Sequence, residues 1–111
     1  MAEPDGTILD RLYAVIEQRR GADPAQSYSA RLLAGGAPAI ARKLGEEAVE
    51  TLIEALAGTP ATLARESADL LYHLLVLWAA AGITPDEVWR VLEARAGTSG
   101  IAEKAARPDK E

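Results

Sequence analysis

The chain has 111 residues, no cysteine and a formal net charge of −5. This length suits a single domain over residues 1–111 and is too short for two independent cores. The lack of cysteine excludes disulfides, thiolate zinc sites and cysteine nucleophiles, and the acidic charge argues against a nucleic-acid binder with a basic face.

Helical periodicity and helix-stop residues divide the chain into five predicted helices, and no stretch shows the alternation typical of a strand. In chain order they span about residues 7–20, 27–33, 38–57, 59–82 and 84–97. Ser27 and Thr59 are predicted N-caps, and Thr84-Pro85-Asp86-Glu87 forms a capping box with proline at the first helical position. Glycines end the helices, at Gly21, Gly35-Gly36, Gly58, Gly82 and Gly97.

These elements predict an all-α fold. The connection at residues 58–60 is very short, so we expect the third and fourth predicted helices to form an antiparallel hairpin. Their apolar faces, with that of the fifth helix, exceed what one hairpin covers, so we expect a homodimer to complete the bundle. The tail from Thr98 is rich in glycine, alanine and charge, and residues 108–111 are expected to be disordered.

The N-terminus and the hydropathy of the chain bear on its location. The first six residues are polar and acidic, and the most apolar stretch, residues 70–83, is shorter than the roughly 20 residues of a membrane span. We therefore expect a soluble cytoplasmic protein without a secretory leader or a membrane segment.

Carboxylates are concentrated on two neighbouring predicted helices. They are Glu46, Glu47, Glu50 and Glu54 on the third helix, and Glu66 and Asp69 on the fourth. Each set falls on one side of its helix at a period of 3.6 residues. Glu50 lies nine residues before Thr59 and Asp69 lies ten after it, so both stand roughly 13–15 Å from the turn. The two sets are therefore expected to converge.

Packed carboxylates repel one another unless a cation neutralises them. A ligand set made only of oxygens favours Mg²⁺, Mn²⁺ or Ca²⁺ over zinc. A solvated face is the ordinary explanation of a glutamate stripe such as Glu46–Glu54. The register of two sets across a tight turn, the second on an otherwise apolar helix, is what favours a metal site.

The acidic segments also carry a family resemblance. Glu46-Glu47-x-x-Glu50, followed by Glu66-x-x-Asp69, resembles the signature of the all-α, MazG-like nucleotide pyrophosphohydrolases. The resemblance narrows to the phosphoribosyl-ATP pyrophosphatase family through three flanking segments. They are Ser27–Leu32, Asp69–Val76 and the stretch Arg95-x-Gly97-x-Ser99-Gly100-x-x-Glu103-Lys104-Ala105. The similarity covers about residues 9–107.

The resemblance implies Mg²⁺-dependent hydrolysis of 1-(5-phosphoribosyl)-ATP to phosphoribosyl-AMP and pyrophosphate, the second step of histidine biosynthesis. It implies that Glu47, Glu50, Glu66 and Asp69 are the Mg²⁺ ligands, with Mn²⁺ as a substitute. Glu47 and Glu50 would thereby act in catalysis, and Glu46 is expected to position or deprotonate the attacking water.

Five further residues are candidates for substrate binding: Tyr28, Arg31, Lys43, Arg95 and Lys104. Tyr28 and Arg31 would bind phosphate or base, although a tyrosine in a short helix often serves packing. Lys43 is a phosphate contact or the partner of an intrahelical ion pair. Arg95 and Lys104 belong to a basic end that either folds over phosphates, in its own or a partner's site, or is a solvated tail.

Two other functions fit parts of the pattern. A house-cleaning nucleoside triphosphate pyrophosphohydrolase has the same acidic site, and only the flanking motifs argue against it. A non-catalytic helical dimerisation module would have the acidic face without any dependence on Mg²⁺.

Overall fold

A computed structural model describes residues 3–108 as five helices. They are α1 (Thr7–Gln18), α2 (Tyr28–Ala57), α3 (Pro60–Ala81), α4 (Pro85–Arg95) and α5 (Gly100–Ala106). Between residues 3 and 108 there is no strand, which confirms the predicted all-α class.

The predicted N-caps are confirmed. The Ser27 side chain accepts a hydrogen bond from the backbone N–H of Ala30 at 3.1 Å, at the start of α2. Thr59 caps α3, and Thr84 caps α4 with a reciprocal bond from its backbone N–H to Glu87 Oε2 at 2.9 Å. Each cap satisfies a backbone donor that the helix leaves free, which is why the sequence locates these starts well.

The predicted boundary between two helices around residues 33–38 is confirmed. The segment labelled α2, Tyr28–Ala57, consists of two helical arms that meet at a break at Gly36, where φ is 83° and ψ is 170°. This conformation is essentially restricted to glycine. Pro38, two residues after Gly36, suits the first turn of the longer arm, because it has no backbone N–H that the break would leave unpaired.

Helix α5 is absent from the sequence-based prediction. Gly97, with φ of 79°, ends the α4 segment, and the Ser99 side chain then caps α5 by accepting from the Ala102 N–H at 3.0 Å. The structure places Pro108, the first residue of the expected disordered tail, just after this helix. Residues 109–111 of that tail lie outside the described residues.

The core is built around α3. Its fully buried apolar residues are Ile16 from α1, Ile40 from α2, and Leu75, Val76 and Ala79 from α3. Helix α4 joins this core at its rim through an edge-to-face contact between Trp89 and Trp78. Helix α5 has no buried residue, so the C-terminal end contributes little to the core.

Helices α2 and α3 make the most extensive interhelical contact in the fold. Tyr28, at the start of α2, is hydrogen-bonded to His73, and Thr51, near its end, donates to the backbone carbonyl of Glu66 at 3.2 Å. The start of α2 thus meets the later part of α3, and its end meets the earlier part.

Only Gly58 and Thr59 connect α2 to α3. A Cβ added at Gly58 would lie 2.9 Å from the backbone carbonyl oxygen of Glu54, which cannot move aside as a side chain can, so this close turn favours glycine.

In the described part of the chain, no single helix has both the length and the apolar character to cross a membrane. Helices α3 and α4 pass that test only as a pair, and the pair is bent by 112° at its junction.

Candidate active site

Three carboxylates from two helices meet between α2 and α3. Glu47 comes from α2, and Glu66 and Asp69 come from α3, three residues apart and so on the same side of the helix. One carboxylate oxygen of each lies within 4.8 Å of the others. We call these three residues the acidic cluster.

The acidic cluster is partly enclosed. Glu47 is only 7% exposed, Glu66 is half-buried and Asp69 opens to solvent. Within residues 3–108, Oε2 of Glu47 and Oε2 of Glu66 are both buried without a hydrogen-bond partner. A buried charged oxygen without a partner is costly, so these two atoms are suited to a bound cation.

The electrostatics agree with the geometry. Burial, and then the nearby Glu50 carboxylate, raise the pKa of Glu47, while His73 and Lys43 act in the opposite direction. Burial is also the first cause that raises the pKa of Glu66, followed by its acidic neighbours Glu50 and Asp69. Such shifts are the expected result of crowding like charges, and a cation bound among them would reverse their sign.

The donor set fits a hard divalent cation. All three ligand residues offer carboxylate oxygen, and the described residues bring no thiolate or imidazole nitrogen into the group. Mg²⁺ and Mn²⁺ prefer such oxygen ligands. The open side at Asp69 leaves room for further ligands from solvent or from a substrate.

Two of the three other predicted acids of α2, Glu46 and Glu50, lie at the border of the cluster. Glu50 is close enough to Glu47 and Glu66 to affect the pKa of both, but its oxygens are not among those that converge. Glu46 is exposed and forms an ion pair with Lys43 at 3.5 Å. Lys43 Nζ also lies 3.8 Å from Glu47 Oε1, so this lysine links the border acid to the cluster.

An aromatic group adjoins the acidic cluster: Tyr28 of α2 with Tyr72 and His73 of α3. The rings of Tyr28 and Tyr72 are stacked with centroids 6.1 Å apart, and the His73 ring is edge-on to both. His73 Nε2 lies 3.0 Å from the Tyr28 hydroxyl, and its Nδ1 lies 2.7 Å from the backbone carbonyl oxygen of Asp69.

Part of this aromatic group escapes reasoning from sequence. Ser29 is hydrogen-bonded to the Tyr72 hydroxyl, and neither residue is among the predicted site residues. The positions of Tyr72 and His73, three and four residues after Asp69, predict that they share a side of α3 with it. This spacing cannot predict that the first turn of α2 packs against them.

The remaining predicted substrate residues are not brought to the acidic cluster within one chain. Arg31 is exposed, and its Nε donates to the backbone carbonyl of Pro24 at 3.3 Å. Arg95 pairs with Glu103 of α5 at 3.4 Å. The single Nε–H of Arg107 is shared between both carboxylate oxygens of Glu103, and Arg107 Nη2 donates to Oε1 as well. These side chains border a shallow cavity of about 430 Å³ between α4 and α5.

Lys104 lies beside a second surface depression with Ser99, Gly100 and Ile101. Over residues 3–108, no ion pair joins Arg95 or Lys104 to an acid of α2 or α3. The basic end and the acidic cluster are therefore separate features of the single chain.

Comparison with known proteins gives a consistent result. The sequence model of the phosphoribosyl-ATP pyrophosphohydrolase family matches residues 9–96. A protein from Azospirillum brasilense named phosphoribosyl-ATP pyrophosphatase is 62% identical over 100 residues, which cover 90% of each chain.

Two further relatives have the same name. One, from Gluconobacter oxydans, is 59% identical over 101 residues, which are 91% of this chain and 76% of the relative. The other, from Cereibacter sphaeroides, is 60% identical over 101 residues, which are 91% of this chain and 98% of the relative. The family match includes the whole acidic cluster and the aromatic group. The chain therefore belongs to the phosphoribosyl-ATP pyrophosphohydrolase family.

Proposed function

We propose that the chain is an Mg²⁺-dependent phosphoribosyl-ATP pyrophosphatase. It would hydrolyse 1-(5-phosphoribosyl)-ATP to phosphoribosyl-AMP and pyrophosphate, the second step of histidine biosynthesis. The observation that carries the proposal is the convergence of Glu47, Glu66 and Asp69 with two buried carboxylate oxygens that have no partner. Relatives up to 62% identical that are named for this activity support it.

Glu47, Glu50, Glu66 and Asp69 would hold the Mg²⁺, or Mn²⁺ in its place. When bound, the metal offsets charge on the phosphate oxygens and on the leaving pyrophosphate. In the reaction, the oxygen of a water forms a bond to the α-phosphorus, and the bond from this phosphorus to the oxygen that bridges α and β breaks. The electron pair of the broken bond leaves with pyrophosphate.

The residues at the border of the cluster would act on water and phosphate. Glu46 is exposed and close to the cluster, so its carboxylate can orient the water and accept its proton. Lys43 already lies between Glu46 and Glu47 and would turn its ammonium towards a phosphate oxygen. Arg95 and Lys104 would bind phosphates after the C-terminal end closes over a site, in the same chain or in a partner.

A homodimer built on an antiparallel α2–α3 hairpin is part of the proposal. The last two turns of α2 carry an apolar stripe that is more than half exposed: Val49, Leu52, Ile53 and Leu56. A stripe of this kind on a short helical chain is typical of a surface that a second copy covers. Sedimentation equilibrium would test it, with a monomer mass contradicting this part.

The test of function is pyrophosphate release from phosphoribosyl-ATP, compared with release from ATP and dCTP, in Mg²⁺ and in EDTA. We expect Mg²⁺-dependent release from phosphoribosyl-ATP in strong preference to the other two. Release mainly from ATP and dCTP would assign the chain to house-cleaning hydrolysis. Release from none of the three would contradict any pyrophosphohydrolase function.

A further inference from the structure

The hydrogen bonds of His73 determine which atom of the aromatic group donates to which. The Asp69 carbonyl oxygen, 2.7 Å from Nδ1, can only accept, so Nδ1 bears the proton. In the neutral ring Nε2 is then an acceptor, and the Tyr28 hydroxyl 3.0 Å away donates to it. The Tyr28 hydroxyl proton is therefore already used.

This assignment limits what Tyr28 can do for a nucleotide. A phosphate oxygen needs a donor, and the phenol oxygen of Tyr28 presents only lone pairs while it is bonded to His73. Tyr28 as a residue is 44% exposed, so its side chain is accessible, although Tyr72 stacks against one side of the ring and His73 lies edge-on. An exposed aromatic face suits a flat, apolar partner, and the flat part of a nucleotide is its base.

The position of Tyr28 relative to the acidic cluster supports the same conclusion. One imidazole ring separates its hydroxyl from the backbone of Asp69, a member of the cluster. The break at Gly36 is what returns the first turn of α2 to this position.

We propose that Tyr28 stacks on the purine base of the nucleotide, and that His73 is a positioning residue that holds the Tyr28 ring beside the acidic cluster. His73 is 4% exposed and is hydrogen-bonded to the Tyr28 hydroxyl and to the Asp69 carbonyl, so it acts on substrate through Tyr28. The inference rests on the proposed function and assigns the base-binding part of that same site.

The first test compares substitutions at Tyr28. Loss of a base stack costs about 1–3 kcal/mol, so Tyr28→Ala should raise KM for phosphoribosyl-ATP by roughly 5- to 150-fold, with kcat changed much less. Tyr28→Phe keeps the ring but loses the bond to His73, so its KM should rise by less. Tyr13→Phe is the matched control, because that hydroxyl donates to the Ile83 carbonyl in another part of the fold.

The second test is a double-mutant cycle. His73→Ala should raise KM in the wild-type background and add nothing in the Tyr28→Ala background, because without the phenol ring there is nothing left for His73 to position. The amide of His73→Gln can both donate and accept a hydrogen bond, so the KM of this variant should lie between those of His73→Ala and the wild type. A residue with only a packing role would lower stability and give additive effects on KM.

Direct binding separates base from phosphate. Calorimetry in Mg²⁺ should show weaker binding of phosphoribosyl-AMP to Tyr28→Ala, with the affinity for pyrophosphate unchanged. Equal weakening of both ligands, or an unchanged KM in Tyr28→Ala, would overturn this inference and leave the proposed function standing. Failure of the wild-type chain to hydrolyse phosphoribosyl-ATP would overturn the proposed function, and this inference with it.

Discussion

The acidic cluster and the basic C-terminal end carry opposite charges and are also built in opposite ways. Glu47 and Glu66 are held between two packed helices and keep buried oxygens without partners. Arg95 at the end of α4 and Arg107 just after α5, in contrast, lie in a region with little burial and already share Glu103 as a counter-ion. The first region is organised ahead of its ligand, whereas the second must exchange an internal partner for any phosphate that it binds.

The sharpest test of this difference is removal of one carboxylate charge from the cluster. Asp69→Asn should lower the rate of hydrolysis by roughly 100-fold or more, since metal stabilisation of transition-state charge is worth several kcal/mol. Glu50→Gln should behave in the same way. Circular dichroism should show unchanged helicity in both variants.

The matched control for Asp69→Asn is Asp86→Asn. Asp86 belongs to an exposed ion pair with Arg90 on α4, with a separation of 2.7 Å, and surface pairs contribute about 1 kcal/mol or less. The rate of hydrolysis by Asp86→Asn should therefore stay at the wild-type level. A fully active Asp69→Asn enzyme would remove this residue from the metal site.

Deletion of residues 98–111 tests the basic end. If this end binds phosphate, the loss of charge-assisted hydrogen bonds worth about 1.5–3 kcal/mol should raise KM by roughly 10- to 150-fold. Because α5 has no buried residue, the melting temperature should change little. An unchanged KM would mean that the basic end is solvated surface. Of the two regions, only the acidic cluster would then act on substrate.

A pair of glycine substitutions compares the backbone of the two regions. Gly36→Ala forces alanine into a conformation with φ of 83° and ψ of 170°, which should cost about 1–3 kcal/mol of unfolding free energy. It should also raise KM, because it displaces Tyr28. Gly97→Ala has a similar φ of 79°, but it should strain only the junction of α4 and α5.

Chemical denaturation measures both glycine variants, with Gly45→Ala as the reference. Gly45 lies inside α2 with open space around its Cβ position, so alanine there should stabilise by about 0.5–1 kcal/mol. If Gly36→Ala were as stable as Gly45→Ala, the break would not be needed for the fold.

The smallest expected effect concerns pH in the absence of metal. The pKa values of Glu47 and Glu66 are raised above the ordinary 4.5 in the folded chain. At a pH between the ordinary pKa and the raised pKa, the folded state therefore holds more protons than the unfolded state. Without metal, the stability due to these groups is therefore present at acidic pH and is lost as pH rises through the raised values. Added Mg²⁺ should restore more stability at neutral pH than at acidic pH.

Glu47→Gln isolates this effect by removing one buried charge. Thermal denaturation in EDTA at neutral pH should show a melting temperature a few degrees higher than wild type, given about 4–8 °C per kcal/mol for a domain of this size. The further rise on adding Mg²⁺ should disappear. Glu17→Gln, which removes an exposed ion pair with Arg20, should keep the response to Mg²⁺.

Much of the fold follows from local sequence signals. The starts of α2, α3 and α4 depend on the side chains of Ser27, Thr59 and Thr84, each of which acts within three residues of itself. The α5 cap at Ser99 is equally local, and the Glu103–Arg107 pair has helical spacing. That helix is missed because Gly97 and Gly100 indicate a loop and outweigh these signals, although the alanines favour a helix.

The site is less accessible to such reasoning. Periodicity places all the acids of α2 in one stripe, but it cannot decide that Glu47 turns towards α3 while Glu46 faces solvent. That choice depends on the rotation of two packed helices about their axes, which is a tertiary property. The same limit applies to Tyr28, whose neighbours are set by the direction of the chain after Gly36.

The turn at Gly58 has a consequence for how the chain can vary in length. Because that connection fixes the start of α3, one residue added between Pro60 and Glu66 would rotate Glu66 and Asp69 by about 100° and shift them by about 1.5 Å relative to α2. Glu66 and Asp69 would then leave Glu47, although every residue of the signature would still be present. We therefore expect an insertion in this part of α3 to abolish function and an insertion before Thr7 to be tolerated, and activity assays on the two variants would compare them.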